Sequence, residues 1–400
     1  MPQAIFHRSA DFDPAADFET CLKSVPAKWV VYLMTGDDDR PVQLLCVKNL
    51  RASLERRLGT GDADAPDAGP SRRVNYRDIV RRVRWRRVDS AFEADAVYLE
   101  AAREIFPQQY RGMLGMRPAW FVHVNPEATH PRYLKTNDPT GKTGTYFGPI
   151  EDKHAAQKLV HTMENLFDLC RDYSILTQSP AAGPCPWKQM NKCVGPCDGT
   201  IDLDAYRQLV AFSANVLADP QDYVREQTRR MQQAAAELRF ESAEKIKAYV
   251  EQLAALGKGS FRHVRPMQRF RFVSLQRGPR AGTAKVFLIT PGRIDEIAGL
   301  IAEPLIAETP IAKPTSRGEL LREILTILHN RTERELDEIA AERIGVVAHH
   351  LFLPKARHGV FLPVDQIDEK SLLKAFAELR NQKPQEDAIG EGVTKELQAL

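Results

Sequence analysis

"GPCPWKQMNKCVGPC" (residues 183–197) decides how this chain is read. It sets Cys185, Cys193 and Cys197 in one short loop broken by Pro184, Pro186 and Pro196. Cys170 lies fifteen residues upstream of Cys185, so four of the six cysteines fall within 28 positions, spaced Cys-x14-Cys-x7-Cys-x3-Cys. Zinc ribbons and fingers usually present pairs of closely spaced cysteines, and here only Cys193 and Cys197 are close. Uneven spacing in a loop suits an iron–sulfur cube. Spacing alone leaves iron–sulfur and zinc both open. Prolines and Gly195 stiffen the loop against competing helix.

Bulk properties set the frame. At 400 residues the chain has room for two to four domains. A net charge of +3 gives no global argument for nucleic acid, so any basic signal must be local. No apolar run is long enough for a membrane span, and "MPQAIFHRSADFDPAADFE" lacks the apolar core of a signal peptide. The expectation is a cytoplasmic protein whose clustered cysteines bind metal rather than form crosslinks.

Periodicity gives a multidomain α+β reading. "KWVVYLM" (28–34) and "VQLLCV" (42–47) read as a hairpin around "TGDDDRP". Leu50, Leu54 and Leu58 have helical spacing. Residues 59–70 read as a flexible loop. Ser90 with Glu93 three residues on is a capping box for a helix over 90–106. With a strand at 119–124, residues 25–135 form one unit. Residues 145–218 are a cysteine-rich helical region, 220–256 a helical hairpin, 260–381 a second α+β unit, and 382–400 a polar tail. In the second unit strands are expected near 268–275, 284–290, 345–353 and 359–363, with helices near 317–329, 332–343 and 369–381.

"TYFGPI" (145–150), the helix after it, the cysteine loop running into "DGTIDLDAYRQLV" (198–210) and the hairpin together resemble UvrC, the incision subunit of bacterial nucleotide excision repair. The resemblance covers about 28–256, and more weakly beyond. It implies that Cys170, Cys185, Cys193 and Cys197 ligate a 4Fe–4S cluster, with zinc the alternative. The string "MQQAAAELRFESAEKIKAYVEQL" (231–253) is similar to the UVR motif. That implies docking onto a UvrB-like partner through Met231, Ala235, Leu238, Phe240, Ala243, Ile246 and Leu253, helix against helix. As a bare pattern, an amphipathic hairpin is more often ordinary core packing.

The N-terminal unit resembles GIY-YIG nucleases. Their chemistry uses a tyrosine, an arginine that steadies the phosphate and a glutamate holding one divalent metal. Tyr32 of "VVY" keeps the first tyrosine, but Val30 stands where the family has glycine. Gln43 stands where the second tyrosine belongs, and Leu45 replaces its glycine. Lys48, Asn49, Leu50 and Arg51 are kept, while the catalytic arginine falls on Ser53. Glu100 of "EADAVYLE" keeps the metal-binding glutamate. Tyr32 and Glu100 are therefore remnants, and a truncated UvrC-type protein with a degenerate nuclease motif is expected. Magnesium is implied only if the nuclease is active. Neither a "DISH" string of the family's second nuclease nor helix-hairpin-helix repeats match here.

The run "SRRVNYRDIVRRVRWRR" (71–87) holds eight arginines and one acid. Read as a helix, it puts Arg73, Arg77, Arg81 and Arg84 on one face as phosphate contacts, with Tyr76 and Trp85 free to stack on bases. Lys48 and Arg51 join them as DNA-binding candidates. A solvated charged face is the equally weighted alternative. "TGKTG" (140–144) lacks the upstream glycine of a phosphate-binding loop. His349 and His350 are expected on opposite faces of a strand, in structural roles rather than as a metal pair. Three functions follow from these readings. The first is an excision-repair protein that binds DNA and a UvrB-like partner with incision lost. The second is an active UvrC/Cho-like endonuclease. The third is a metal-stabilised interaction adaptor without a DNA role.

Overall fold

The computed structural model describes residues 5–15, 18–59, 75–280, 283–301, 339–353 and 359–381, with Arg322, Leu325, Thr326 and Leu336 between. It is an α+β molecule with three four-stranded antiparallel sheets. Among the described residues, no helix is long and apolar enough to cross a membrane. The loop expected at 59–70 lies outside the described residues apart from Gly59, and the 382–400 tail lies wholly outside them. Of the helix expected at 317–329, only Arg322, Leu325 and Thr326 are described, and these are helical.

The first sheet is built on β2 (Val30–Thr35), whose six residues are all buried. It pairs with β3 (Pro41–Val47) as the expected hairpin and, on its other edge, with β4 (Arg82–Arg87), which pairs in turn with β1 (Arg8–Asp11). Side chains alternate across the sheet. Val30, Tyr32 and Met34 pack with Leu50, Leu54 and Leu58 of the Leu50–Leu58 helix. Val31 and Leu33 pack the other way, with Phe92, Val97 and Leu99 of the Ala91–Ile105 helix. Ser90 caps that helix by accepting from the Glu93 N–H. The Glu93 carboxylate turns back to the Asp89 N–H, 2.9 Å away.

The second sheet holds β5 (Trp120–Val124), β6 (Tyr133–Thr136), β7 (Thr145–Ile150) and the two-residue β8 (Arg265–Pro266) in the order β6-β5-β7-β8. The 119–124 strand, expected inside the 25–135 unit, thus pairs with β6 and β7 and not with the first sheet. The Lys153–Leu166 and Leu203–Ala218 helices cover this sheet with Leu159, Met163, Tyr206 and Val210.

The third sheet has the order β11-β10-β9-β12: β9 is Phe272–Arg277, β10 Thr283–Thr290, β11 Arg293–Ile301 and β12 Val360–Pro363. One face carries Val273, Leu275, Val286 and Leu288 against Leu372, Ala375 and Leu379 of the Glu369–Asn381 helix. The other carries Phe272, Phe287 and Ile289 into the same core as Phe92 and Leu33. The first and third sheets, expected in separate units, therefore share one hydrophobic core around the Ala91–Ile105 helix. The strand expected at 345–353 is instead part of a helix, Ala340–Phe352. A short apolar run reads as either element until its partners are known. Here Ile344, Val347 and Leu351 share one buried stripe against the Ala91–Ile105 helix.

Candidate functional site

The four cysteines converge. All four are buried and none forms a disulfide. Asp152 caps the Lys153–Leu166 helix by accepting from the Ala155 N–H at 2.8 Å, and the chain leaves its far end for Cys170. The Cys170 N–H donates to the buried Tyr206 hydroxyl at 3.1 Å. Arg171 ties this helix end to the loop through the Glu164 and Lys192 carbonyls and lies over the Trp187 ring. Cys185 precedes the one-turn helix Pro186–Gln189, which opens on proline. The Ser179 hydroxyl donates to the Pro196 carbonyl at 2.7 Å, and the Ala182 N–H to the Cys197 carbonyl at 3.0 Å.

The thiols are electrostatically linked. Cys193 is held toward the thiolate by the Cys170 hydrogen bond, the Gly195 N–H and the charges of Arg171 and Lys188. Cys170 is held toward the thiol by that same bond and by burial. Burial and the neighbouring Cys185 also raise Cys197. Four buried sulfurs, an N–H aimed at one of them and two nearby cations suit ligation as thiolates. A single zinc with bonds of about 2.3 Å would draw all four sulfurs to roughly 3.8 Å from one another. Among the described residues, the trio of ligand atoms found within 4.8 Å of one another is Asp95, His349 and His350, from a different part of the molecule.

The hairpin forms from the Pro220–Ala236 and Phe240–Ala254 helices, turning at Leu238 with φ +56°. Leu238 and Phe240 at the tip are 72% and 65% exposed. Ala235 is exposed, and Met231, Ala243 and Ile246 are half-buried along the helices. Leu253, expected as a partner contact, is fully buried at the base among the residues of the second core, so it anchors the hairpin to the body.

Tyr32 and Glu100, the two residues singled out by the nuclease resemblance, do not meet. Tyr32 is fully buried on the face under the Leu50–Leu58 helix, its hydroxyl 2.9 Å from Ser53 Oγ. Burial raises its pKa, which keeps the phenol protonated near neutral pH. Arg57 donates to Gln43 Oε1 at 3.1 Å. The two replaced positions thus make neutral or singly charged hydrogen bonds within the fold. Glu100 lies on the helix covering the opposite face. Arg343 of the Ala340–Phe352 helix grips its carboxylate through Nε at 2.7 Å and Nη2 at 3.2 Å. Nothing local in the sequence marks Arg343 as this partner, 243 positions away.

The arginine run is not one helical face. Arg77 sits on a single turn, Tyr76–Ile79, and Arg82–Arg87 is β4 in mid-sheet. Arg77 donates to the Leu58 and Pro14 carbonyls and lies over the Phe12 and Phe18 rings. Arg81 pairs with Asp37 and the buried Arg84 with Asp39. Trp85 is buried in the core, away from any base. Arg51 donates to the Val25 carbonyl and remains exposed, as does Lys48. Arg73 lies outside the described residues.

Comparison with known proteins gives the family context. Residues 119–216 match the middle domain of the UvrC/Cho excinuclease. The chain is 25% identical over 358 residues to the UvrABC system protein C of Mycolicibacterium paratuberculosis, covering 86% of this chain and 52% of that protein. It is 31% identical over 180 residues to the UvrABC system protein C of Desulforudis audaxviator, covering 44% of this chain and 28% of that one. The chain spans about half the length, or less, of these curated relatives. No solved structure matches.

Proposed function

We propose that this chain, a member of the UvrC-type family, serves nucleotide excision repair as a DNA-holding and partner-docking scaffold rather than as the nuclease. One observation carries the reading: Tyr32 and Glu100 lie on opposite sides of the first sheet, and Arg343 already neutralises the Glu100 carboxylate. Hydrolysis of a phosphodiester needs its base, phosphate-steadying cation and metal around one phosphate. Here those roles fall on a buried phenol, on Ser53 and on a carboxylate held by a guanidinium.

In this reading Cys170, Cys185, Cys193 and Cys197 would hold a 4Fe–4S cluster. When bound, the cluster supplies four iron–thiolate bonds that fix the loop between the second sheet and the hairpin. The chain's own residues set the frame for it: Tyr206 orients Cys170, and Gly195 and Arg171 favour the thiolate at Cys193. The hairpin tip would dock a UvrB-like protein through Leu238 and Phe240. Lys48 and Arg51 are the remaining exposed candidates of the DNA-binding set. The pairing of Arg77, Arg81 and Arg84 within the fold favours a second reading, docking without DNA.

A pull-down with a UvrB-like protein tests the docking. The wild-type chain should be retained and Phe240→Ala, with an unchanged melting temperature, should lose at least about tenfold in affinity, as for a central aromatic anchor. Equal retention of both would refute docking through the tip. Adding a lesion-bearing duplex to the same assay separates the two readings, since only the first predicts salt-sensitive DNA retention by the chain alone.

A further inference from the structure

The contact between the Ala91–Ile105 and Ala340–Phe352 helices holds a cluster with no part in the reading above. His350 is 1% exposed, and its Nε2 lies 2.8 Å from Asp95 Oδ2. Its ring meets Phe92 edge-on, with centroids 5.4 Å apart. Its Nδ1 is buried with no partner among the described residues, so the Nε2 edge makes the ring's one polar contact. Because residues 340–352 are helical and not extended, His349 falls beside His350 instead of across a sheet from it. The two rings stand at 87° with centroids 5.2 Å apart. One ligand atom each from Asp95, His349 and His350 fall within 4.8 Å of one another.

We propose that Asp95, His349 and His350 form a site for a divalent transition metal of the zinc class, clipping the Ala340–Phe352 helix to the Ala91–Ile105 helix. Two imidazoles and a carboxylate are a borderline-soft donor set that suits zinc or cobalt over magnesium or calcium. A tetrahedral ion with bonds of about 2.0–2.1 Å holds its ligand atoms roughly 3.4 Å apart. The Asp95–His350 pair, hydrogen-bonded at 2.8 Å, would open slightly as the ion takes the place of the shared proton, and all the ligand atoms lie within 4.8 Å of one another. Three protein ligands leave a fourth position for water. His349 is on the exposed side of the cluster and gives the ion its way in. The ligands come from positions 95 and 349–350, so the ion would join two segments that the shared core already brings together.

The test uses the full, tag-free chain with its cysteine region loaded as purified, titrated with cobalt(II). One further equivalent should bind with the weak visible bands of a nitrogen–oxygen site, without new thiolate charge-transfer absorption, and should raise the melting temperature. His349→Ala removes an exposed ring and leaves the core intact. It should weaken that binding by at least about 100-fold, beyond the cost of losing an outer-shell partner, and abolish the shift while the metal content of the cysteine region stays the same. Asp95→Asn, close to isosteric, should behave likewise. The proposal is overturned if the wild-type chain takes up no further equivalent, or if His349→Ala binds cobalt as the wild type does. Neither outcome touches the docking reading.

Discussion

Gly195 shows how one residue sets the surroundings of a thiol. Its φ is +78°, and a Cβ there would sit 2.8 Å from Lys188 Nζ and 2.9 Å from Asp198 Oδ1. Its N–H points at Cys193 Sγ, 3.5 Å away. Lys188 could swing aside from an added methyl, but the left-handed backbone could not be relieved so easily. Gly195→Ala should therefore cost about 1–2 kcal/mol in thermal unfolding and lower the metal content of the purified chain. An unchanged melting temperature would mean the loop relaxes and the turn is not what aims Cys193. The grouping of the four cysteines was legible in the sequence from their spacing alone, while the contacts among their buried thiols depend on the fold. At Gln43 and Ser53 the sequence shows only a departure from the pattern of the family it resembles. That Ser53 satisfies the Tyr32 hydroxyl, and Gln43 accepts from Arg57, depends on which residues share a face of the sheet.

At the scale of elements, the hairpin divides into a foot and a tip. Leu253 and the half-buried Tyr223, Val224 and Tyr249 bind the foot to the second core, while Leu238 and Phe240 stand clear of it. Leu253→Ala should cost about 2–5 kcal/mol, as for other fully buried leucines, and should loosen the whole hairpin in hydrogen exchange. Phe240→Ala should change stability by less than about 0.5 kcal/mol, as for an ordinary surface position. Equal losses for the two would mean that the tip also packs on the body. The hairpin's existence was legible from its 3–4 periodicity. The role of Leu253 was not, because a heptad-like stripe does not say which of its residues face the partner helix, the body or solvent. The helix at 340–352 was misread for a related reason. "GVVAHHLF" is apolar and β-branched enough for a strand, and only the core around Phe92 decides for helix. In the arginine run the charges alone fit a solvated or phosphate-binding helical face, yet β4 places Arg82, Arg84, Arg86 and Arg87 between β1 and β2, and Asp37, Asp11 and Asp39 pair with Arg81, Arg82 and Arg84.

Across the whole molecule, the third sheet is bolted to the first. Lys285 of β10 reaches the buried carboxylates of Asp89 and Glu93 at 2.9 and 2.7 Å, Arg343 grips Glu100, and Arg111 pairs with Glu342 at 2.8 Å. Each of these contacts joins residues more than 190 positions apart, which is why no local pattern disclosed them. Together they place the Ala340–Phe352 helix over the one carboxylate that the nuclease resemblance assigns to metal. In the proposed function this arrangement docks and holds but does not cut. The most direct measurement is incision of a lesion-bearing duplex in the presence of UvrA, UvrB, ATP and magnesium, with this chain as the only candidate nuclease. No cleavage above the reaction lacking the chain is predicted; cleavage that is lost in Glu100→Gln would contradict the account.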